Sequence, residues 1–261
     1  MRRPSYSPYG SQISFGPGPP SPTMLALIGA NVAVFLAQVL FPSILGWDLD
    51  GALGLHPREV VTGFSLWQLV TYNFLHVGVS HILFNMLALW MFGTELERTW
   101  GTNYFLKFYF VTGIGAGVLT VLFSLLPFGF AASVYGANIM GASGAIFGLL
   151  LAYGMYFPRR PLLLMLLFPV EARYAVMIFG AIELLTALGG RSGVANATHL
   201  GGLVVGYLFL KSGRLTLHPW AEVKYRYLKW KINRARSRFD VYQGGRSDQP
   251  RRQNDWDRRI H

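Results

Sequence analysis

Gly141-Ala142-Ser143-Gly144-Ala145-Ile146-Phe147-Gly148 opens an apolar run, and its small residues recur four apart, the spacing at which one helix lets another helix backbone approach closely in lipid. A second segment, Asn196-Ala197-Thr198-His199-Leu200-Gly201-Gly202-Leu203-Val204-Val205-Gly206, repeats that spacing at Gly202 and Gly206. Two such stripes predict a helical bundle inside a membrane, with Ser143 and His199 carried to one depth by the packing. Composition agrees. Hydrophobic residues make up 52% of the 261 residues and charged residues 13%, with a mean hydropathy of +0.35, whereas a soluble domain carries about 25% charge. The absence of cysteine excludes disulfides, thiolate catalysis and Cys-based metal sites.

Six apolar stretches are expected to cross. Residues 1–23 are rich in Pro, Gly and Ser and read as a disordered lead without a core. Residues 24–41 form the first span and lack a small-residue cleavage site, so they are expected to be retained. Residues 42–79 are too polar to cross. The second span starts near Ser80 and His81 and leaves the membrane around Glu95, Glu97 and Arg98. The third covers about 104–126 and the fourth about 142–157, stopped by Pro158-Arg159-Arg160. Residues 161–169 are short, apolar and bracketed by prolines, which fits an interfacial or partly extended piece. Spans five and six cover about 173–188 and 197–210, and a basic tail occupies 211–261.

Charge sets the expected orientation. Of the 23 Lys and Arg, 14 follow Leu210, and most of the others fall at the N-terminus or in the turns after spans two and four. The opposite side holds Arg58 and Arg191. By the positive-inside rule both termini are cytoplasmic. Ser143, His81 and His199 then lie near the outer-facing ends of their helices.

A serine hydroxyl is a weak nucleophile until a base removes its proton, and histidine is the usual base near neutral pH. Ser143 opens a helix, where free backbone N–H groups and the positive end of the dipole favour a developing oxyanion. His81 and Asn85, four apart, share one helical face and can add two further donors. Taken singly, a glycine-serine run is commonly a packing surface and a membrane histidine a helix cross-link.

The ordered set Trp67-Gln68-Leu69-Val70-Thr71-Tyr72-Asn73-Phe74-Leu75-His76, His81 with Asn85, Gly141-Ala142-Ser143-Gly144, and His199 with Gly202 and Gly206 resembles the rhomboid intramembrane serine proteases. The likeness covers about residues 24–210. It implies an all-α membrane protein with a six-helix bundle and both termini cytoplasmic, with a protease core at 24–210 between the lead at 1–23 and the tail at 211–261 that composition marks off. It further implies Ser143 as nucleophile, His199 as general base and acid, His81 and Asn85 as the oxyanion hole, and a Ser-His dyad without an acidic third member. Implied substrates are transmembrane proteins cut near the outer face, with small residues before the scissile bond and helix-destabilising residues nearby. The expected setting is a bacterial cytoplasmic membrane. Many relatives carry Trp-Arg in the first outer loop where this chain has Trp67-Gln68, which removes an ionic contact from that loop.

Other readings compete less well. A catalytically silent rhomboid-like protein that binds transmembrane clients is the main alternative, against which this chain keeps Ser143, His199, His81 and Asn85. The nucleophile elbow G-x-S-x-G fails at Ala145, and no strand-helix alternation surrounds it. No HExxH-type spacing links His56, His76, His81 and His199, so neither a metal nor a cofactor is expected. A transporter would show duplicated halves, which are not seen. Glu183, inside span five, has no partner by spacing and is expected to cap a polar cluster near Asn196. Basic and aromatic residues interleave from Trp220 to Phe239, a pattern that fits anionic lipid headgroups better than nucleic acid.

Overall fold

The computed structural model describes residues 17–127, 129–164, 168–188, 194–212, 228–229 and 231. It divides into two units, Met1–Arg214 and Leu215–His261. In the second, the described residues Leu228, Lys229 and Lys231 are helical. The expected disordered lead up to residue 16, Arg191 and nearly all of the basic tail lie outside the described residues.

Helix α1 (Pro22–Leu45) starts where a cap and a proline coincide. The Ser21 hydroxyl accepts the Met24 N–H at 3.0 Å, and Pro22 occupies the first helical position, where no donor is needed. Residues 17–21, assigned by composition to the disordered lead, are instead held in place. Arg98 donates to the Pro17 and Pro19 carbonyls, Trp90 Nε1 donates to Gly18 O at 3.1 Å, and Ser21 Oγ donates to Glu97.

The polar stretch that follows holds no helix long enough to cross a membrane. It folds into α2 (Leu49–Leu53), α3 (Pro57–Thr62), α4 (Gln68–Thr71) and a 3₁₀ turn (Tyr72–Phe74). Then come α5 (Val79–Ala88), a π-helical turn (Leu89–Gly93) and α6 (Thr94–Trp100), continuous over Val79–Trp100. Gly101, at φ +80°, separates this helix from α7 (Thr102–Ser124). After α8 (Gly129–Tyr135) come α9 (Ser143–Tyr156), an antiparallel hairpin of β1 (Pro161–Leu164) and β2 (Phe168–Glu171), α10 (Ala172–Leu188) and α11 (Val194–Ser212). The two strands pair Pro161 with Glu171 and Leu164 with Phe168, so the described residues of the apolar piece between prolines, 161–164 and 168–169, are extended.

Three of these helices are long and apolar enough to cross a membrane: Pro22–Leu45, Val79–Trp100 and Thr102–Ser124. The six expected crossings are not matched by length and composition alone. Helix α9 has 14 residues and α10 has 17, and α11 carries Asn196, Thr198, His199 and three glycines that lower its hydropathy. Apolar side chains still face outward, among them Leu36, Leu40 and Ile44 on α1 and Met177, Ile182 and Leu185 on α10. In water such a surface drives aggregation, whereas hydrocarbon accepts it without cost.

Helices α7, α9 and α11 form the centre. Phe105, Phe108 and Tyr109 of α7 pack with Ala145, Leu149 and Tyr153 of α9. Some polar groups within this centre find partners across helices. Tyr72 Oη donates to Gly113 O at 2.6 Å, and the Thr120 and Thr198 hydroxyls lie 3.0 Å apart. Helices α9 and α11 meet at their glycines. A Cβ on Gly202 would collide with the Gly144 carbonyl, and one on Gly206 would reach 3.1 Å from Gly148 Cα.

Gln38 of α1 anchors the loop leading into α5. Its Oε1 accepts the His76 N–H at 2.9 Å, and its Nε2 donates to Asp50 Oδ1 at 2.6 Å. The His76 ring is buried with neither nitrogen hydrogen-bonded, 5.1 Å from the His81 ring. Burial, and then the neighbouring His81, push its pKa down to about 4.

Two outcomes follow from this packing. Gly202→Val lowers the thermal stability of the purified protein by at least about 1–3 kcal/mol, whereas Gly29→Ala, with nothing within 4 Å of the new methyl, does not; thermal unfolding in detergent checks both. His76 has a folded-state pKa below its unfolded value, so its contribution to stability is complete above about pH 6.5 and is lost as pH falls towards about 4. Across that window His76→Gln flattens the dependence of melting temperature on pH relative to the unsubstituted chain.

Candidate active site

Ser143 is the first residue of α9, and Ala142 before it offers no side-chain cap. The N–H groups of the first turn are therefore left without side-chain acceptors. Gly141 makes the approach possible, at φ +132°, with its N–H donating to Tyr72 O at 2.9 Å. A Cβ there would sit 2.8 Å from His81 Cε1, 3.0 Å from His81 Nε2 and 3.5 Å from Ser143 Oγ. Only glycine fits between the His81 ring and the Ser143 hydroxyl.

His199 was expected to open its helix, but α11 begins at Val194, so the imidazole projects from more than one turn inside. Val194 and Ala195 continue the helical run, and the extra turn lets Asn196 and Thr198 face inward. His199 Nε2 lies 2.8 Å from Ser143 Oγ. The close approach of Gly202 to Gly144 is what brings these two atoms together. The imidazole also stacks on Phe147, with centroids 4.3 Å apart and planes at 11°. Phe147 is one turn beyond Ser143 on the same face, a placement readable from the i, i+4 spacing but not singled out by it.

His81 and Asn85 lie on α5, on the wall facing Ser143. The Val77 N–H points at His81 Nδ1 at 3.4 Å, which assigns Nδ1 as the acceptor and leaves the ring proton of a neutral imidazole on Nε2, towards Ser143. Asn85 Nδ2 donates to His81 O at 2.8 Å with one N–H and keeps a second. A cavity of about 420 Å³ joins these groups, lined by His81, Asn85, Ser143 and His199 and otherwise by apolar side chains such as Phe84, Met91, Ile146 and Phe179. It has the size of a site that takes a short stretch of chain. Inside apolar walls, each N–H aimed at a developing negative charge acts in a low dielectric.

Glu183 of α10 is within the same cluster. Asn196 Nδ2 donates to Glu183 Oε2 at 2.5 Å, and Glu183 Oε1 lies 3.0 Å from His199 Nδ1. That separation is an ion-pair distance without hydrogen-bond alignment, and Nδ1 has no other hydrogen-bond partner among the described residues. The cluster near Asn196 was anticipated from sequence; the contact with His199 was not, because the pattern along α10 carries no information about its rotation against α11.

The position that differs from the common Trp-Arg pair is satisfied without an ionic contact to arginine. Gln68, 1% exposed, accepts the His56 N–H at 3.0 Å and donates to Glu59 Oε2 at 2.7 Å. Trp67 Nε1 donates to Ala52 O at 3.0 Å. A buried amide with its groups paired holds this loop.

A family model for the Rhomboid domain matches residues 63–212. Rhomboid protease GluP of Bacillus subtilis is 33% identical over 158 residues, 60% of this chain and 28% of that protein. RHOMBOID-like protein 4 of Arabidopsis thaliana is 33% identical over 179 residues, 65% of this chain and 39% of that protein. Rhomboid protease AarA of Providencia stuartii is 29% identical over 195 residues, 70% of this chain and 69% of that protein. The chain thus spans less than half the length of the first two. With the Rhomboid domain covering more than half of its residues and apolar helices long enough to span a bilayer, this integral membrane protein belongs to the rhomboid family.

Proposed function

We propose that the chain is an intramembrane serine endopeptidase, hydrolysing peptide bonds in or next to transmembrane segments of other proteins through an acyl-enzyme. The observation that carries this reading is the 2.8 Å contact between Ser143 Oγ and His199 Nε2, in a cavity that also exposes His81 and Asn85. In this mechanism the Ser143 proton passes to His199 Nε2 as Oγ attacks the scissile carbonyl carbon. The carbonyl electron pair moves onto oxygen, which receives N–H groups from His81, Asn85 and the Ser143 backbone. Collapse breaks the C–N bond, and Nε2 gives its proton to the leaving amine. Water then transfers a proton to Nε2 as its oxygen attacks the ester, and the second collapse returns that proton to Ser143 Oγ.

The proposed topology has six crossings, with α9, α10 and α11 added to the three long helices, and both termini in the cytoplasm. Helix α9, at 14 residues, is about 21 Å long, against about 30 Å of hydrocarbon. With the exposed Arg159 and Arg160 after it at the cytoplasmic interface, Ser143 sits below the outer surface. A transmembrane substrate reaches it by unwinding, which exposes a peptide bond to the cavity. We assign residues 24–210 as the protease core, residues 1–23 as its lead and residues 211–261 as a basic tail that meets anionic headgroups rather than nucleic acid. The setting is a bacterial cytoplasmic membrane, with the site towards the outer face.

In detergent or proteoliposomes, Ser143→Ala abolishes both covalent labelling by a serine-directed fluorophosphonate and cleavage of a transmembrane substrate. His199→Ala does the same. Either variant cleaving at the unsubstituted rate rules out the dyad, and an unsubstituted chain that neither labels nor cleaves identifies a silent client-binding protein instead. Asn85→Ala retains labelling and slows cleavage by no more than about 100- to 1000-fold, the worth of one oxyanion donor.

A further inference from the structure

A charged side chain within an apolar helix is expensive to bury and keeps its place only where it has partners. Glu183 has two, and both belong to the neighbourhood of His199. Its Oε2 accepts from Asn196, one turn before His199 on α11, while its Oε1 stands 3.0 Å from His199 Nδ1. The opposite ring nitrogen, Nε2, faces Ser143 Oγ at 2.8 Å. Asn196 also donates to the Glu183 backbone carbonyl at 3.3 Å, which ties the carboxylate to the helix that carries the histidine. The imidazole is held from a third side by Phe147.

We propose that Glu183 is a positioning residue for His199, completing a Ser143–His199–Glu183 relay where the family resemblance implies only a dyad. The inference rests on the proposed role of Ser143 and His199. A carboxylate beside Nδ1 favours the tautomer with the proton on Nδ1, which leaves the Nε2 lone pair free for the Ser143 proton. Once Nε2 is protonated, the same carboxylate stabilises the imidazolium through Coulomb attraction in an apolar site. Glu183 exchanges no proton in this scheme. A small rotation of either side chain aligns the N–H with Oε1, as is common when a site tightens around substrate.

Glu183→Gln separates this role from simple packing. The glutamine keeps an oxygen for Asn196 but turns an N–H towards Nδ1, selecting the tautomer whose Nε2 already carries hydrogen and cannot take the Ser143 proton. Full-length chain in proteoliposomes, assayed on a transmembrane substrate, is expected to lose kcat at least about tenfold with KM unchanged, the loss on replacing the acid of a Ser-His-Asp triad by its amide reaching about 10⁴-fold. Its melting temperature stays with that of the unsubstituted chain, and Glu183→Asp restores part of kcat. A Glu183→Gln variant with unsubstituted kcat overturns the proposal, as does one whose activity falls only in proportion to the fraction folded. Ser143→Ala, run alongside, distinguishes the failures: cleavage surviving in that variant removes the underlying dyad, whereas its loss together with normal Glu183→Gln turnover removes Glu183 alone.

Discussion

The contact between Gly144 and Gly202 is backbone against backbone, and the site depends on it. Hydrocarbon gives two apolar helices no hydrophobic reason to associate, so their approach relies on close van der Waals contact, which glycines allow and larger residues prevent. Here a second pair, Gly148 and Gly206, extends the contact along both helices. Ser143 and His199 ride on opposite sides of that seam, 56 residues apart in sequence and 2.8 Å apart in space. A methyl group at Gly202 collides with the Gly144 carbonyl, so the glycine that packs the bundle also sets the distance between the two groups.

Around this seam the structure divides its polar groups by purpose. Tyr72, Thr120 and Thr198 spend theirs on cross-helix hydrogen bonds in the interior. Gln68 and Trp67 spend theirs within the loop between α1 and α5, and Gln38 pins the chain at His76. Facing the cavity are the Ser143 hydroxyl, the His199 imidazole, the His81 edge and one N–H of Asn85. A site made of groups already oriented needs little rearrangement when charge develops. The scarcity of competing water inside apolar walls strengthens each of those interactions.

Much of the site was legible because lipid makes polar residues conspicuous. Ser143, His81, Asn85 and His199 stand out against leucine, phenylalanine and glycine, and their spacings place them on helix faces. Helix ends were less legible. The start of α11 lies before the expected Ala197, since nothing in Val194-Ala195-Asn196 breaks a helix, and residues 17–21 are held by Arg98 and Trp90 despite a composition that suggests disorder. The number of crossings is obscured for a related reason: α11 buries its polar and small residues against α7 and α9, and these lower the hydropathy by which a span is recognised.

By itself the sequence determined the class and the parts. Its apolar runs require a helical membrane protein, because only paired backbones survive in hydrocarbon. Its glycine stripes select which helices touch, and its few polar residues name the candidates for chemistry. Tertiary structure alone decided how those parts face each other. Periodicity along one helix carries no information about the rotation of another, so the placement of Glu183 beside Nδ1, of Phe147 under the ring and of the His81 Nε2 edge beside Gly141 emerges only when α5, α9, α10 and α11 are packed together.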